Sequence, residues 1–230
     1  MSVSLTNKHD DWLREGGPAA LVIHEHLMPV EGPDGVVFPA TFAASEDKSF
    51  KGGYNIDLLP DGKACLIDSV GSQANRIEPI FTQRDYASLV LQIVVQAGDK
   101  RVNLLEAGHR AGDAIVRCSA LQQELQAAFK AALQGDMTGL AKIAPTSLVF
   151  GVWDSRDTQA KLPRLIASTI RAFNVQPLTR AAQYVPAVDY VGQGLLEEST
   201  DKNKGSAERG FGHVPSSGAP GGVIASGGIR

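Results

Sequence analysis

Ser69, Ser72 and Arg76 are spaced by three and four residues, so on a helix they share one face, with Gln73 beside them and Asn75 in the same stretch. Hydroxyls, amides and one guanidinium near a helix start are chemistry suited to an anion, because free backbone N–H groups and the helix dipole favour negative charge there. A phosphate fits such a face, and so does plain solvent. The neighbouring residues predict the element that must carry it. Ala64–Ile67 is a short apolar run that reads as the end of a buried strand. Asp68 or Ser69 then offers a capping oxygen. Pro79 marks the helix end, since the residue before a proline avoids the helical region.

Other candidate groups are scattered along the chain. Residues 31–62 are rich in Gly, Pro and charge and read as a loop or hairpin excursion. Within it, Lys48, Phe50, Lys51 and Tyr54 interleave cations with rings, a pattern that suits single-stranded nucleic acid as well as an ordinary hairpin with an aromatic anchor. His24 and His26 alternate on a predicted strand, the geometry of a metal pair, but no third ligand is near in sequence. His109 and Arg110 sit in a Gly-flanked turn, open to a partner or to water. Arg156 and Lys161 bracket a predicted helix start, and Arg164 lies on its polar face.

The order of elements predicts an α+β fold. Residues 1–18 read as a lead-in with a short helix around Asp10–Glu15, and Ala19–Val30 as a first long strand. Leu89–Val95 reads as a strand, and Val102–Leu105 and Ala114–Cys118 as further apolar runs. Leu121–Leu133 is an amphipathic helix with Leu121, Leu125, Ala128, Phe129 and Ala132 on one face, closed by Gly135. Thr138–Ala144 is a shorter helix stopped by Pro145, and the two form a small helical lobe. Ser147–Trp153 reads as a buried strand, Leu162–Phe173 as a helix and Thr179–Tyr190 as extended, a strand–helix–strand unit. Arg209–Val214 partly matches the RNA-binding strand signature of RRM domains, departing from it at His213 and at the following Pro215. The end, Gly227–Arg230, offers no closing element, and the expectation is a fold missing a C-terminal part.

With 22 Lys/Arg against 25 Asp/Glu the formal charge is −3, which argues against coating nucleic acid by total charge. The distribution says more. Residues 1–62 carry four basic and ten acidic groups, and residues 150–180 carry five and two, so a basic footprint is available on an acidic protein. Cys65 and Cys118 lie in apolar, strand-like runs and read as buried thiols of a reducing cytoplasm. No apolar run is long enough to span a bilayer. There is no Walker A motif, Rossmann fingerprint or nucleophile elbow to support a small-molecule enzyme.

Leu66–Pro79, Ala144–Arg156 and Arg209–Pro215 together resemble a CRISPR-associated protein, specifically the RAMP-superfamily backbone subunit of the type I-U (I-G) Cascade effector. The likeness runs from about Leu21 to Arg230. Ser72–Arg76 also resembles the Ser-Gln motif on the first helix of backbone subunits in other Cascade subtypes. The resemblance implies an RRM-like (ferredoxin-like) palm spanning residues 19–230, with a thumb or finger hairpin inserted at about 31–62 and the helical lobe at 96–145. It implies copies stacked along a CRISPR RNA, beside other Cascade subunits, gripping phosphates while the bases pair with target DNA. Ser69, Ser72, Gln73, Asn75 and Arg76 then contact the guide backbone, with Lys48, Lys51, His109, Arg110, Arg156, Lys161 and Arg164 as further RNA contacts. No catalytic residue, metal, cofactor or membrane is implied. The alternative is an RNA endonuclease of the same superfamily using His24, His26 or His109, or Asp68 and Asp154, as acid or base.

Overall fold

The computed structural model describes residues 7–180, 186–197, 209, 211 and 219–230. In chain order these form β1 (Thr41–Phe42), β2 (Gly53–Tyr54), β3 (Ile56–Leu59), β4 (Gly62–Asp68), α1 (Val70–Ile77), β5 (Val94–Ala97), β6 (Lys100–Asn103), α2 (Ala114–Arg117), α3 (Gln122–Leu133), α4 (Thr138–Ile143), α5 (Thr146–Phe150), β7 (Val152–Trp153), β8 (Lys161–Leu162), β9 (Ile170–Phe173), β10 (Val175–Arg180) and β11 (Ala219–Ala225). The mixture of helices with small antiparallel sheets is compatible with the α+β expectation. The chain divides into two units, Met1–His24 with Asp68–Thr169, and Glu25–Ile67 with Ile170–Arg230.

The first unit is built on α3. Its residues Leu125, Ala128, Phe129 and Ala132 recur at helical spacing and are buried. They pack with Leu140 and Ile143 of α4 and with Leu104, Val116 and Val152. The antiparallel β5–β6 hairpin supplies Val95 to this core. The second unit holds the three-stranded sheet in the order β3-β4-β9 and the antiparallel pair β10–β11. Cys65, Ala172, Val175, Val223, Ala225 and Ile229 form its core. Burial pushes the Cys65 thiol up to about 11, helped by the charge of Asp57, so it stays protonated.

Several expectations are corrected. Of Ser147–Trp153, expected as a buried strand, only Val152–Trp153 is one, β7; the preceding residues belong to helix α5, where Thr146, Ser147 and Phe150 are buried at helical spacing and Pro145 precedes the first turn with φ already preset. A short apolar run does not by itself separate a buried helix from a buried strand. Leu162–Phe173, read as one helix, instead holds Leu162 at the end of β8, an irregular stretch and strand β9. There Leu165 and Ile166 are exposed, and both backbone N–H groups donate to the carbonyl of Val149, while Ala172 is fully buried in alternation with exposed Arg171. The strand–helix–strand unit is therefore absent from 146–180. Ala114–Arg117 is helix α2, capped by the Asp113 carboxylate on the N–H of Ile115, and Cys118 beyond it is exposed rather than buried. Of Leu89–Val95 only Val94 and Val95 are in a strand. Ala19–Val30 forms no strand; a single bridge joins Leu27 to Ile229. Near the end of the sequence β11 pairs along β10, and Ile229 is buried. Part of the expected extended run Thr179–Tyr190 (181–185), and the RRM-like signature apart from Arg209 and Phe211, lie outside the described residues.

Candidate nucleic-acid interface

Strand β4 ends at Asp68 and α1 begins one residue later, as the capping pattern predicts. Ser69 has extended backbone, and its Oγ accepts from the N–H of Ser72 at 3.3 Å. Asp68 lies beside this first turn. Its Oδ2 accepts from Gln73 Nε2 at 2.5 Å and sits 3.0 Å from Arg76 Nε. Burial works to raise the Asp68 pKa, but hydrogen bonds from Ser72 and Gln73 and the charge of Arg76 outweigh it, and the group lies below the usual carboxylate range. The face expected to hold an anion thus already holds one from its own chain. The Arg76 side chain is nonetheless 72% exposed, and its contact with Asp68 runs through Nε, one of five guanidinium donors. Asn75 is exposed beside it.

A second cation comes to the same helix. Arg164 follows β8, and its Nη2 lies 3.7 Å from where a Cβ on Gly71 would stand. Ser168 Oγ donates to Gln73 Oε1 at 3.2 Å. Gly151 makes the approach of the 162–164 chain possible. It has φ +73, and a Cβ there would meet the Leu162 carbonyl oxygen and Arg164 Cγ, each at 2.9 Å. Of the predicted residues, Ser69, Ser72, Gln73, Arg76 and Arg164 are therefore gathered in one place. Ser168 was missed by sequence reasoning, because it was read as part of a helix.

Arg156 and Lys161 belong to the β7–β8 hairpin. Its turn is tied by Asp154, which is 1% exposed. Asp154 Oδ2 accepts from the N–H and Oγ1 of Thr158 at 2.8 and 2.7 Å, and Oδ1 from the N–H of Asp157 at 3.3 Å. Asp154 is thus a turn residue with both oxygens engaged. Arg156 and Lys161 are exposed, and Lys161 Nζ stands 5.5 Å from the centroid of the Trp153 ring.

In the second unit, β1 and β2 pair antiparallel and enclose the loop that carries Lys48, Phe50 and Lys51. The loop is wound about Asp47, whose Oδ1 accepts from Ser45 Oγ at 2.6 Å and from Ser49 N–H and Oγ at 3.0 and 2.8 Å. These bonds, that of Ser45 foremost, hold Asp47 down at about 2. Lys48 takes φ +60, and both lysines are exposed.

His109 and Arg110 part company. His109 is exposed, with its N–H on Asp113 Oδ2. Arg110 is 5% exposed, takes φ +52 and pairs through Nε with buried Glu78. Its guanidinium carbon lies 6.0 Å from the Phe150 centroid, and Nη2 finds no hydrogen-bond partner among the described residues. Burial raises the Glu78 pKa, against the pull of Thr146 and Arg110. His24 and His26 are exposed on irregular chain. Among the described residues no group of three or more His, Cys, Asp or Glu could hold a metal ion, and no helix is long and apolar enough to cross a membrane.

The family model described as CRISPR-associated protein GSU0053 matches residues 21–177. The chain belongs to this CRISPR-associated family. Membership places its role in CRISPR defence and links it to the effector machinery. Among curated proteins nothing matches the chain.

Proposed function

We propose that this CRISPR-associated protein is the RAMP-type backbone subunit of a type I-U Cascade effector, a non-catalytic protein that binds CRISPR RNA through its phosphates and lines up in several copies along the guide. In this reading the fold is an RRM-like palm with the β1–β2 loop as thumb or finger, and the guide pairs with target DNA beside other Cascade subunits. The observation that carries it is the convergence of exposed Arg76 and Arg164 on α1, over a helix start lined by Ser69 and Ser72, in a protein of this family. Phosphate contacts position nucleic acid without reading its sequence, which suits a guide whose bases vary. Asn75, Arg156, Lys161, His109, Lys48 and Lys51, all exposed, extend the contact set; Arg110, buried on Glu78, is left out of it.

Size-exclusion chromatography with light scattering, with and without a CRISPR RNA, tests the reading. The expected result is a salt-sensitive shift to a large particle with raised absorbance at 260 nm, and weaker binding by Arg76→Ala for RNAs of unrelated sequence. A monomer that ignores RNA overturns the reading. Cleavage of labelled RNA by the purified protein would favour the endonuclease alternative.

A further inference from the structure

We propose that the β7–β8 hairpin is a stacking platform for one unpaired nucleobase of single-stranded RNA, with the Trp153 indole beneath the base and Lys161 and Arg156 meeting its phosphates. The proposal rests on the RNA-binding reading above and adds a site to it.

The argument begins with strand alternation. Val152 pairs with Leu162 and Trp153 with Lys161 across the antiparallel ladder. Cross-strand partners share a face, and successive residues point to opposite faces. Val152 is buried in the core of the first unit, with Leu162 packed against it, so Trp153 and Lys161 are turned away together. Trp153 is 55% exposed, a large aromatic residue at the end of a short strand with the flexible Lys161 side chain over its ring. The sequence alone puts Trp153 in a buried strand and carries no sign of this exposure.

The hairpin is tied at its turn and against its neighbour. Asp154 closes the turn with three hydrogen bonds, and its N–H donates to the carbonyl of Ala160 at 2.9 Å. On the other side the chain at Gly112 comes so close that a Cβ there would stand 2.8 Å from the Trp153 carbonyl oxygen. A ring held on fixed backbone loses little freedom when something stacks on it.

Charge selects the occupant. Between Trp153 and Arg164 the exposed ionic groups are Arg156, Asp157, Lys161 and Arg164, three positive and one negative. The remaining acid, Asp154, is buried and engaged. Gln126 Nε2 donates to Asp157 Oδ1 at 2.9 Å, tying that acid to α3. A base needs a π-face and its phosphate a cation; Lys161 Nζ lies over the Trp153 ring, 5.5 Å from its centroid, and an incoming base displaces this cation from the ring toward the phosphate. Three residues on, Arg164 reaches the start of α1, at most about 10 Å along the chain from Lys161. Ring and cations thus follow one another on one continuous segment, 153–164, whose last residue, Arg164, comes to the hydroxyl-lined start of α1. Stacking on a ring is tolerant of base identity, as a variable guide requires.

The chain has two tryptophans, Trp12 and Trp153, so Trp12→Phe leaves Trp153 as the sole emitter. Full-length Trp12→Phe protein is titrated with a short oligouridine and with an abasic oligomer of equal length, following tryptophan emission and, separately, the anisotropy of an end label. The expected result is quenching by oligouridine, binding of the abasic oligomer without quenching, a roughly tenfold loss of affinity in Trp153→Ala and a loss within about threefold in Trp153→Phe. Binding of oligouridine at unchanged affinity by Trp153→Ala, with no quenching in the parent, overturns the platform while leaving the phosphate-binding reading standing. Failure of the wild-type protein to bind either oligomer overturns both. Self-association that Trp153→Ala abolishes, with emission indifferent to RNA, overturns the platform in favour of a protein contact.

Discussion

Glu78 and Arg110 show how a charge can belong to the fold when its surroundings in sequence suggest the surface. Both side chains are nearly excluded from solvent, at 2% and 6%, and each depends on the other. Removing one partner of such a pair leaves an uncompensated buried charge, which costs about 3–5 kcal/mol, whereas replacing both with apolar groups of similar size is often close to neutral. Urea denaturation should therefore show Glu78→Gln destabilised by that amount, and Glu78→Leu with Arg110→Met destabilised by less than the sum of the single changes. Additive losses would mean that the two groups act independently. Asp47 gives a prediction of the opposite kind, on an exposed group. Its folded pKa of about 2 is depressed below the ordinary carboxylate value of 3.8, so the loop stability it contributes is present above pH 3.8 and is lost as pH falls through about 2. Carboxyl carbon shifts followed by NMR should titrate near 2, and Ser45→Ala should move the midpoint upward, because Ser45 is the foremost cause of the depression. An unmoved midpoint in Ser45→Ala would remove that cause.

At the scale of elements, Gly151 joins α5 to β7 in a conformation that L side chains rarely adopt, with the Leu162 carbonyl oxygen against its missing Cβ. Gly151→Ala should lower stability by about 1–3 kcal/mol in thermal unfolding and weaken RNA binding through displaced Arg164, with Gly135→Ala as a control of positive φ but open space. Equal loss of RNA binding in both variants would show that Arg164 is not the link. The elements legible in the sequence were those with their own punctuation: α1 between its Ser69 cap and Pro79, α3 with its apolar stripe and Gly135, and α4 stopped before Pro145. What failed were apolar stretches whose state is decided at a distance. Leu165 and Ile166 have helical spacing with Leu162, yet their N–H groups go to Val149, and Ile170–Phe173 is drawn into a sheet with β4. The candidate site divides in the same way. Ser69, Ser72, Gln73 and Arg76 are local to one helix and were readable from spacing alone. The approach of Arg164, the Glu78 pairing of Arg110 across 32 residues and the exposure of Trp153 are tertiary facts with no local signature.

For the whole molecule, net charge and binding chemistry point in opposite directions. A chain of formal charge −3 is repelled by RNA at long range, so the proposed RNA binding requires cations concentrated in a few places. In the first unit Arg76 on α1, Arg156 and Lys161 on the β7–β8 hairpin, and Arg164 just beyond it are exposed cations. If each neutralises one phosphate, counterion release from single-stranded RNA gives a slope of log Kobs against log salt of roughly −0.7 per contact, or about −3 for the four. Removing one of them should flatten the slope by roughly 0.7 whatever the RNA sequence, whereas Trp153→Ala should lower affinity with little change in slope, since stacking releases no ions. Lys48→Ala with Lys51→Ala tests the second unit by the same reading, a further flattening of about 1.4 marking both as phosphate contacts. Anisotropy titrations across a range of salt concentrations measure all of these on one scale. A wild-type slope near zero would mean that binding does not run through phosphates, and would remove the physical basis for sequence-independent gripping of a guide.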